Sequence, residues 1–115
     1  MLTNDQMDAV FQALAHAHRR RILDLVMSKP GIAVGELAKS FDTSRIAVMN
    51  HLAILERAGL IISQKDGRSR RLHLNAVPIQ MIHERWTTEF SAHWAGHLTG
   101  LKYAAEAKAK QEQDT

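Results

Sequence analysis

The stretch from Val34 to Leu74 constrains the fold more than any other part of the chain. Val34, Leu37, Ala38 and Phe41 form the apolar stripe of one short helix, and Asp42-Thr43-Ser44 then supplies a tight turn in which Thr43 or Ser44 can cap the next. In that next helix, read over residues 44–58, Val48, Leu52 and Leu55 fall within about 60° of one another and face a core. Gly59 closes it as a left-handed terminator. Immediately afterwards Leu60-Ile61-Ile62 and Leu72-His73-Leu74 flank Lys65-Asp66-Gly67-Arg68, which reads as two strands joined by a hairpin turned at Asp66-Gly67.

Around this segment the reading is helical. Thr3 and Gln6 have the spacing of a capping box, and Met7, Val10, Phe11 and Leu14 follow on one face. A second helix is expected from about His18 to Ser28, with Ile22, Leu25 and Val26 inward, ended by Lys29-Pro30-Gly31. A long last helix is expected from near Pro78 to about residue 108, with 109–115 as a flexible tail. The expected order is α-α-α-α-β-β-α, mainly helical with a small hairpin, in one domain spanning residues 1–108.

At 115 residues with 45% hydrophobic residues the chain can bury one small core, and burial against a second copy would strengthen it. It has no cysteine, which removes disulfides, thiolate metal sites and cysteine nucleophiles together. The amino terminus has no basic and apolar leader pattern, and no apolar run approaches the roughly 20 residues needed to span a bilayer, so a cytoplasmic protein without membrane contact is expected. The net charge of +3 is unevenly spread: residues 17–71 carry +6 and the remainder −3. A basic middle between acidic flanks suits one face to an anionic polymer.

The outer face of helix 44–58 carries Ile46, Met49, Asn50, Ala53 and Arg57. Aliphatic groups there suit a DNA major groove, where they pack on thymine methyls; Asn50 can pair bidentately with adenine, and Arg45 or Arg57 can reach guanine or phosphate. Packing of Ile46 and Met49 on a neighbouring helix is the structural alternative. The hairpin bears Lys65, Arg68, Arg70 and Arg71 against one acid, Asp66, a charge set that fits phosphates or the adjacent minor groove. Arg19-Arg20-Arg21 sits at a helix start, where cations oppose the helix dipole unless phosphate is near.

Several segments, agreeing in order and spacing, resemble the ArsR/SmtB family of repressors. They are Leu14-Ala15-His16-Ala17-His18-Arg19-Arg20-Arg21-Ile22-Leu23, Val34-Gly35-Glu36-Leu37-Ala38, Ser44-Arg45-Ile46-Ala47-Val48-Met49-Asn50-His51-Leu52, Leu55-Glu56-Arg57-Ala58-Gly59-Leu60, Gly67-Arg68 and Leu72-His73-Leu74. The resemblance covers roughly residues 7–100. It implies a winged helix-turn-helix repressor, dimerising through its first and last helices, that binds double-stranded DNA at a pseudo-palindromic operator. On that reading Ser44, Arg45, Ile46, Met49 and Asn50 read bases, and Arg19, Arg20, Arg21, Thr43, Arg57, Lys65, Arg68, Arg70 and Arg71 hold phosphates. His51 matches a histidine frequent in the family's recognition helix and is read as structural. Many relatives have proline at Ile46 and serine at Met49, departures that alter the reading surface.

Along residues 79–105, Ile79, Ile82, Trp86, Phe90, Trp94, Leu98 and Leu101 hold one face. About 25 residues of helix span about 40 Å, more than a small domain needs for itself, so a second copy is expected to cover the stripe. Met7, Phe11, Trp86, Phe90, Trp94, Leu98 and Leu101 are the expected dimer interface. The Trp-rich pattern resembles the autorepressor-like (SdpR-like) subgroup of the family.

His83, His93 and His97 lie on or beside that stripe, and His93 and His97 have the i, i+4 spacing of a zinc or nickel chelate. The family's metal sensors use a cysteine motif in the third helix, absent here, or an Asp/His set on the last helix, where Met81 stands in place of the acid. No metal or other cofactor is therefore expected, and a metal-responsive repressor built on those histidines is the alternative. A winged helix that docks protein through Ile46 and Met49 is a further one. No phosphate loop, carboxylate pair or nucleophile with its base is visible, so an enzyme is not expected.

Overall fold

The computed structural model describes the backbone of residues 1–113 and the side chains of residues 1–87 and 96–111. The elements are α1 (Asn4–Leu14), α2 (Ala17–Ser28), β1 (Ile32–Ala33), α3 (Val34–Ala38), α4 (Arg45–Arg57), β2 (Ile61–Asp66), β3 (Ser69–Leu74) and α5 (Val77–Gln113). They divide into two compact units, Met1–Ile82 and His83–Thr115. No helix among the described residues is long and apolar enough to cross a membrane.

The first unit forms around residues that the helical stripes already mark. Val10, Ile22, Val26, Leu37, Val48, Leu52, Leu55, Leu60 and Leu72 are each 2% exposed or less and belong to one cluster, with Ile82 packed on its margin. Among the described residues no polar or charged side chain is buried. The capping box is formed as expected: the Thr3 amide donates to Gln6 Oε1 at 2.8 Å, and the Gln6 amide donates to Thr3 Oγ1 at 3.1 Å.

Three details differ from the sequence reading. A strand precedes α3: Ile32 and Ala33 pair antiparallel with Leu72 and Arg71, giving a three-stranded sheet in the order β1-β3-β2. Two residues are too few to show a period of two, so nothing in the pattern announces β1. Secondly, α3 ends at Ala38, and Phe41 is buried beyond its end, with the Arg21 guanidinium 5.1 Å from its ring centroid.

Thirdly, the hairpin turns at Gly67-Arg68, because Asp66 is paired with Ser69. Gly67 has φ +60° and, among the described residues, no non-glycine residue has positive φ, which is the type II′ pattern with glycine first. The register is set by the core: it pairs Ile61 with Leu74 and aligns Leu72 with Ile32, placing Ile61 and Leu72 inside. A slip of one residue would turn that whole apolar set to solvent.

α4 ends in a Schellman motif. Leu60 N–H donates to the Leu55 carbonyl and Gly59 N–H to that of Glu56, each at 3.0 Å, with Gly59 at φ +78°. Leu55 and Leu60, the apolar pair such a motif brings together, are both fully buried. Asn75 fastens the next connection to this corner, its Nδ2 donating to the Gly59 carbonyl at 2.9 Å and its Oδ1 accepting from the Val77 amide at 3.2 Å. α5 runs to Gln113, through most of the segment expected as a tail.

Candidate nucleic-acid interface

Ser44 starts α4 as its N-cap, accepting from the Ala47 amide at 3.1 Å. With Val48, Leu52 and Leu55 turned into the core, the opposite face is left to solvent. Ile46 is 74% exposed, and Arg45, Asn50, Ala53 and Arg57 are exposed beside it. Met49 differs: it is half-buried and packs against the core. It lies about 60° from Leu52 around the helix, at the border between the two faces. The packing alternative thus holds for part of Met49 and fails for Ile46.

The hairpin's basic residues have unequal freedom. Arg70 is committed: its Nε donates to Ser63 Oγ at 2.7 Å and its Nη2 to Glu56 Oε1 of α4 at 2.8 Å. Arg71 donates weakly to Asp66 Oδ2 at 3.3 Å and to the Gly31 carbonyl at 3.4 Å. Lys65 and Arg68 are exposed, and their side chains have no ionic or hydrogen-bonding partner among the described residues. A groove of about 510 Å³ on this hairpin is lined by Ser63, Lys65, Gly67, Arg68, Ser69 and Arg70. The Arg70–Glu56 pair ties hairpin to α4, a link that sequence reading did not find because the two residues are 14 apart in different elements.

The arginine cluster has a structural employment as well. Arg19 donates from Nε to the Ala13 carbonyl and from Nη2 to the Gln12 carbonyl, both at 2.8 Å, and Arg20 donates from Nη1 to the Leu14 carbonyl at 2.7 Å. These are carbonyls of the last turn of α1, where the dipole favours a cation; that of Gln12 also accepts from the Ala15 amide at 3.2 Å. The cost of placing cations at the start of α2 is therefore offset within the chain. Arg21 is exposed apart from its ring contact with Phe41.

Beside these arginines three histidines meet. His16 caps α2, its Nδ1 accepting from the His18 amide at 3.1 Å. His51 of α4 lies with its ring centroid 4.6 Å from that of His16 and 5.8 Å from that of His18, and its Nδ1 accepts from Arg19 Nη1 at 3.3 Å. Burial holds the His51 pKa below the usual histidine value, and the neighbouring charges of His16, Arg19 and His18 act in the same direction. The structural reading of His51 is consistent with these contacts. The meeting with His16 and His18 was not legible, because no linear rule joins the start of one helix to the middle of another.

The expected dimer residues fall in both units. Met7 is 8% exposed, already buried within its own chain, whereas Phe11 is 49% exposed. In the second unit Trp86, Leu98 and Leu101 are 59%, 57% and 55% exposed, while Phe90 and Trp94 lie outside the described side chains. The last-helix histidine set is reduced too. His93 lies outside the described side chains, and His83 and His97 are separated by 14 positions of one helix, about 21 Å, too far to share an ion within a chain.

Comparison with known proteins gives concordant matches. Residues 14–64 match a helix-turn-helix domain family. The chain is 35% identical over 89 residues to the HTH-type transcriptional regulator YuzN of Bacillus subtilis, covering 72% of this chain and 97% of that protein. It is 32% identical over 74 residues to the transcriptional repressor SdpR of the same organism, covering 64% and 81%. The crystal structure of an ArsR family transcriptional regulator superposes with a TM-score of 0.68 at 34% identity, covering 82% of this chain and 95% of the other.

Proposed function

The chain belongs to the ArsR family of helix-turn-helix transcriptional regulators, and on that premise we propose that it is a homodimeric repressor reading a pseudo-palindromic operator through two copies of α4. It is a DNA-binding regulator and not an enzyme. The observation that carries the rest is the bare outer face of α4, where Ile46, Asn50 and Arg57 stand exposed next to a hairpin with free cations.

In this reading the α4 start lies in a major groove. Ile46 and the exposed part of Met49 meet thymine methyls, Asn50 pairs with adenine, and Arg45 reaches guanine or phosphate. Thr43, Arg57, Lys65 and Arg68 hold the backbone and set register. The Ser44 hydroxyl, already an acceptor for its helix, can still donate to a phosphate at the helix N-terminus. Arg70 and Arg71 position the wing through Glu56 and Asp66, and Arg19 and Arg20 position α2, so both pairs contribute to phosphate binding mainly as fixed positive charge. Two α4 helices then fall in successive major grooves about 34 Å apart, with wings outside. Exposed Phe11, Trp86, Leu98 and Leu101 support the pairing of two copies.

Titration of operator and random duplexes at several salt concentrations tests the assignment. Asn50→Ala is expected to cost about 1–3 kcal/mol on the operator and to relax preference at one base position, with random DNA unchanged. Arg68→Ala is expected to weaken all sequences alike and to lower the salt slope by about 1. Equal losses on both duplexes from both variants would remove Asn50 as a base reader.

A further inference from the structure

We propose that His16, His18 and His51 form a binding site for a divalent transition-metal ion of the zinc type, joining the start of α2 to α4. One ring nitrogen from each of the three lies within 4.8 Å of the others. The rings already touch, with centroids 5.3 Å apart for His16 and His18, 4.6 Å for His16 and His51, and 5.8 Å for His18 and His51. Zinc–nitrogen bonds of about 2.0–2.1 Å at tetrahedral angles set ligand nitrogens about 3.4 Å apart, so side-chain rotation of an ångström or so closes the set. His16 is exposed while His18 and His51 are half-buried, which leaves one open side for the ion to enter and for water to complete its shell.

The metal-free arrangement also shows what such an ion must displace. His16 Nδ1 accepts from the His18 amide and His51 Nδ1 from Arg19 Nη1, so each neutral ring carries its proton on Nε2. Coordination through Nε2 moves that proton to Nδ1 and breaks both hydrogen bonds; coordination through Nδ1 displaces the same donors directly. Arg19 can yield without leaving, because its Nε and Nη2 remain on the α1 carbonyls. The ion and the α2 cap are thus alternatives, and exchange between them acts on the helix that the proposed function assigns to DNA reading. The site itself does not depend on that reading.

The test is titration of the metal-freed full chain with Zn²⁺ by calorimetry, with Co²⁺ absorption as a report of tetrahedral nitrogen coordination. One ion per chain is expected. Loss of an outer-shell partner alone weakens metal sites about 10–100-fold, so His18→Ala and His51→Gln are each expected to weaken binding by roughly tenfold or more. The His83→Ala/His93→Ala/His97→Ala variant is expected to bind like the parent. Ring nitrogen resonances of the unmodified chain give a measurement that no folding defect can confuse: Nε2–H tautomers for His16 and His51 without metal, and a shifted ligating nitrogen in all three rings at saturation. No saturable binding, binding that survives both substitutions, or a ring among the three that does not respond would overturn the proposal.

Discussion

Arg19 shows how a single side chain can serve the fold while looking like a ligand contact. Its guanidinium closes two carbonyls of α1 and reaches His51, so three elements meet on one planar fork. Hydrogen bonds from a charged donor contribute about 1.5–3 kcal/mol each, less where solvent competes. Arg19→Ala is therefore expected to lower unfolding stability by about 2 kcal/mol in urea, and Arg19→Lys to restore less than half, since an ammonium cannot match the fork. A side chain that acted only on phosphate would leave the urea midpoint unchanged. The sequence placed this arginine at a helix start but could not show α1 ending against it. That junction depends on the turn at Ala15 and His16, which has no periodic signature. Ile46 and Asn50 were legible for the opposite reason, because three apolar positions on one side of a helix determine what faces away.

At the scale of elements, α4 was readable from end to end, since both of its limits are chemical: a serine cap at one end and a glycine terminator at the other. Gly59 gives the sharper test. A methyl group there would stand 3.8 Å from Pro78 Cγ, an ordinary contact, so the cost of Gly59→Ala is conformational, from φ +78°. That cost is about 1–2 kcal/mol, and chemical denaturation should show it with little change in the slope. A neutral result would mean that the Schellman turn is not retained in solution. β1 and the hairpin turn were misread because both are fixed by pairing. Ile32 becomes a strand residue only because Leu72 faces it, and Gly67-Arg68 becomes the loop only because the register buries Ile61 and Leu72.

For the whole molecule the first unit has its own core, whereas the second is a helical segment in which, among the described residues, Trp86, Leu98, Leu101 and Tyr103 are large hydrophobic side chains more than half exposed. Trp86 and Leu101 lie within about 60° of each other around the axis and about 22 Å apart along it, the layout of a stripe that meets a parallel or antiparallel neighbour. Gly96 and Gly100 each lower helix stability by about 1 kcal/mol relative to alanine, so packing must hold this segment in place. Full burial of one such side chain contributes about 1.5–3 kcal/mol, and a symmetric dimer would count each position twice. Trp86→Ala/Leu101→Ala is thus expected to raise the dimer dissociation constant a hundredfold or more. Sedimentation equilibrium reads that constant directly. Operator affinity should fall in the same variant while the base preference of each half-site persists, because α4 and its cap lie in the other unit and are untouched. A parent chain that sediments as a monomer at micromolar concentration would remove the dimer, and with it the paired half-sites, while leaving the reading face of α4 intact.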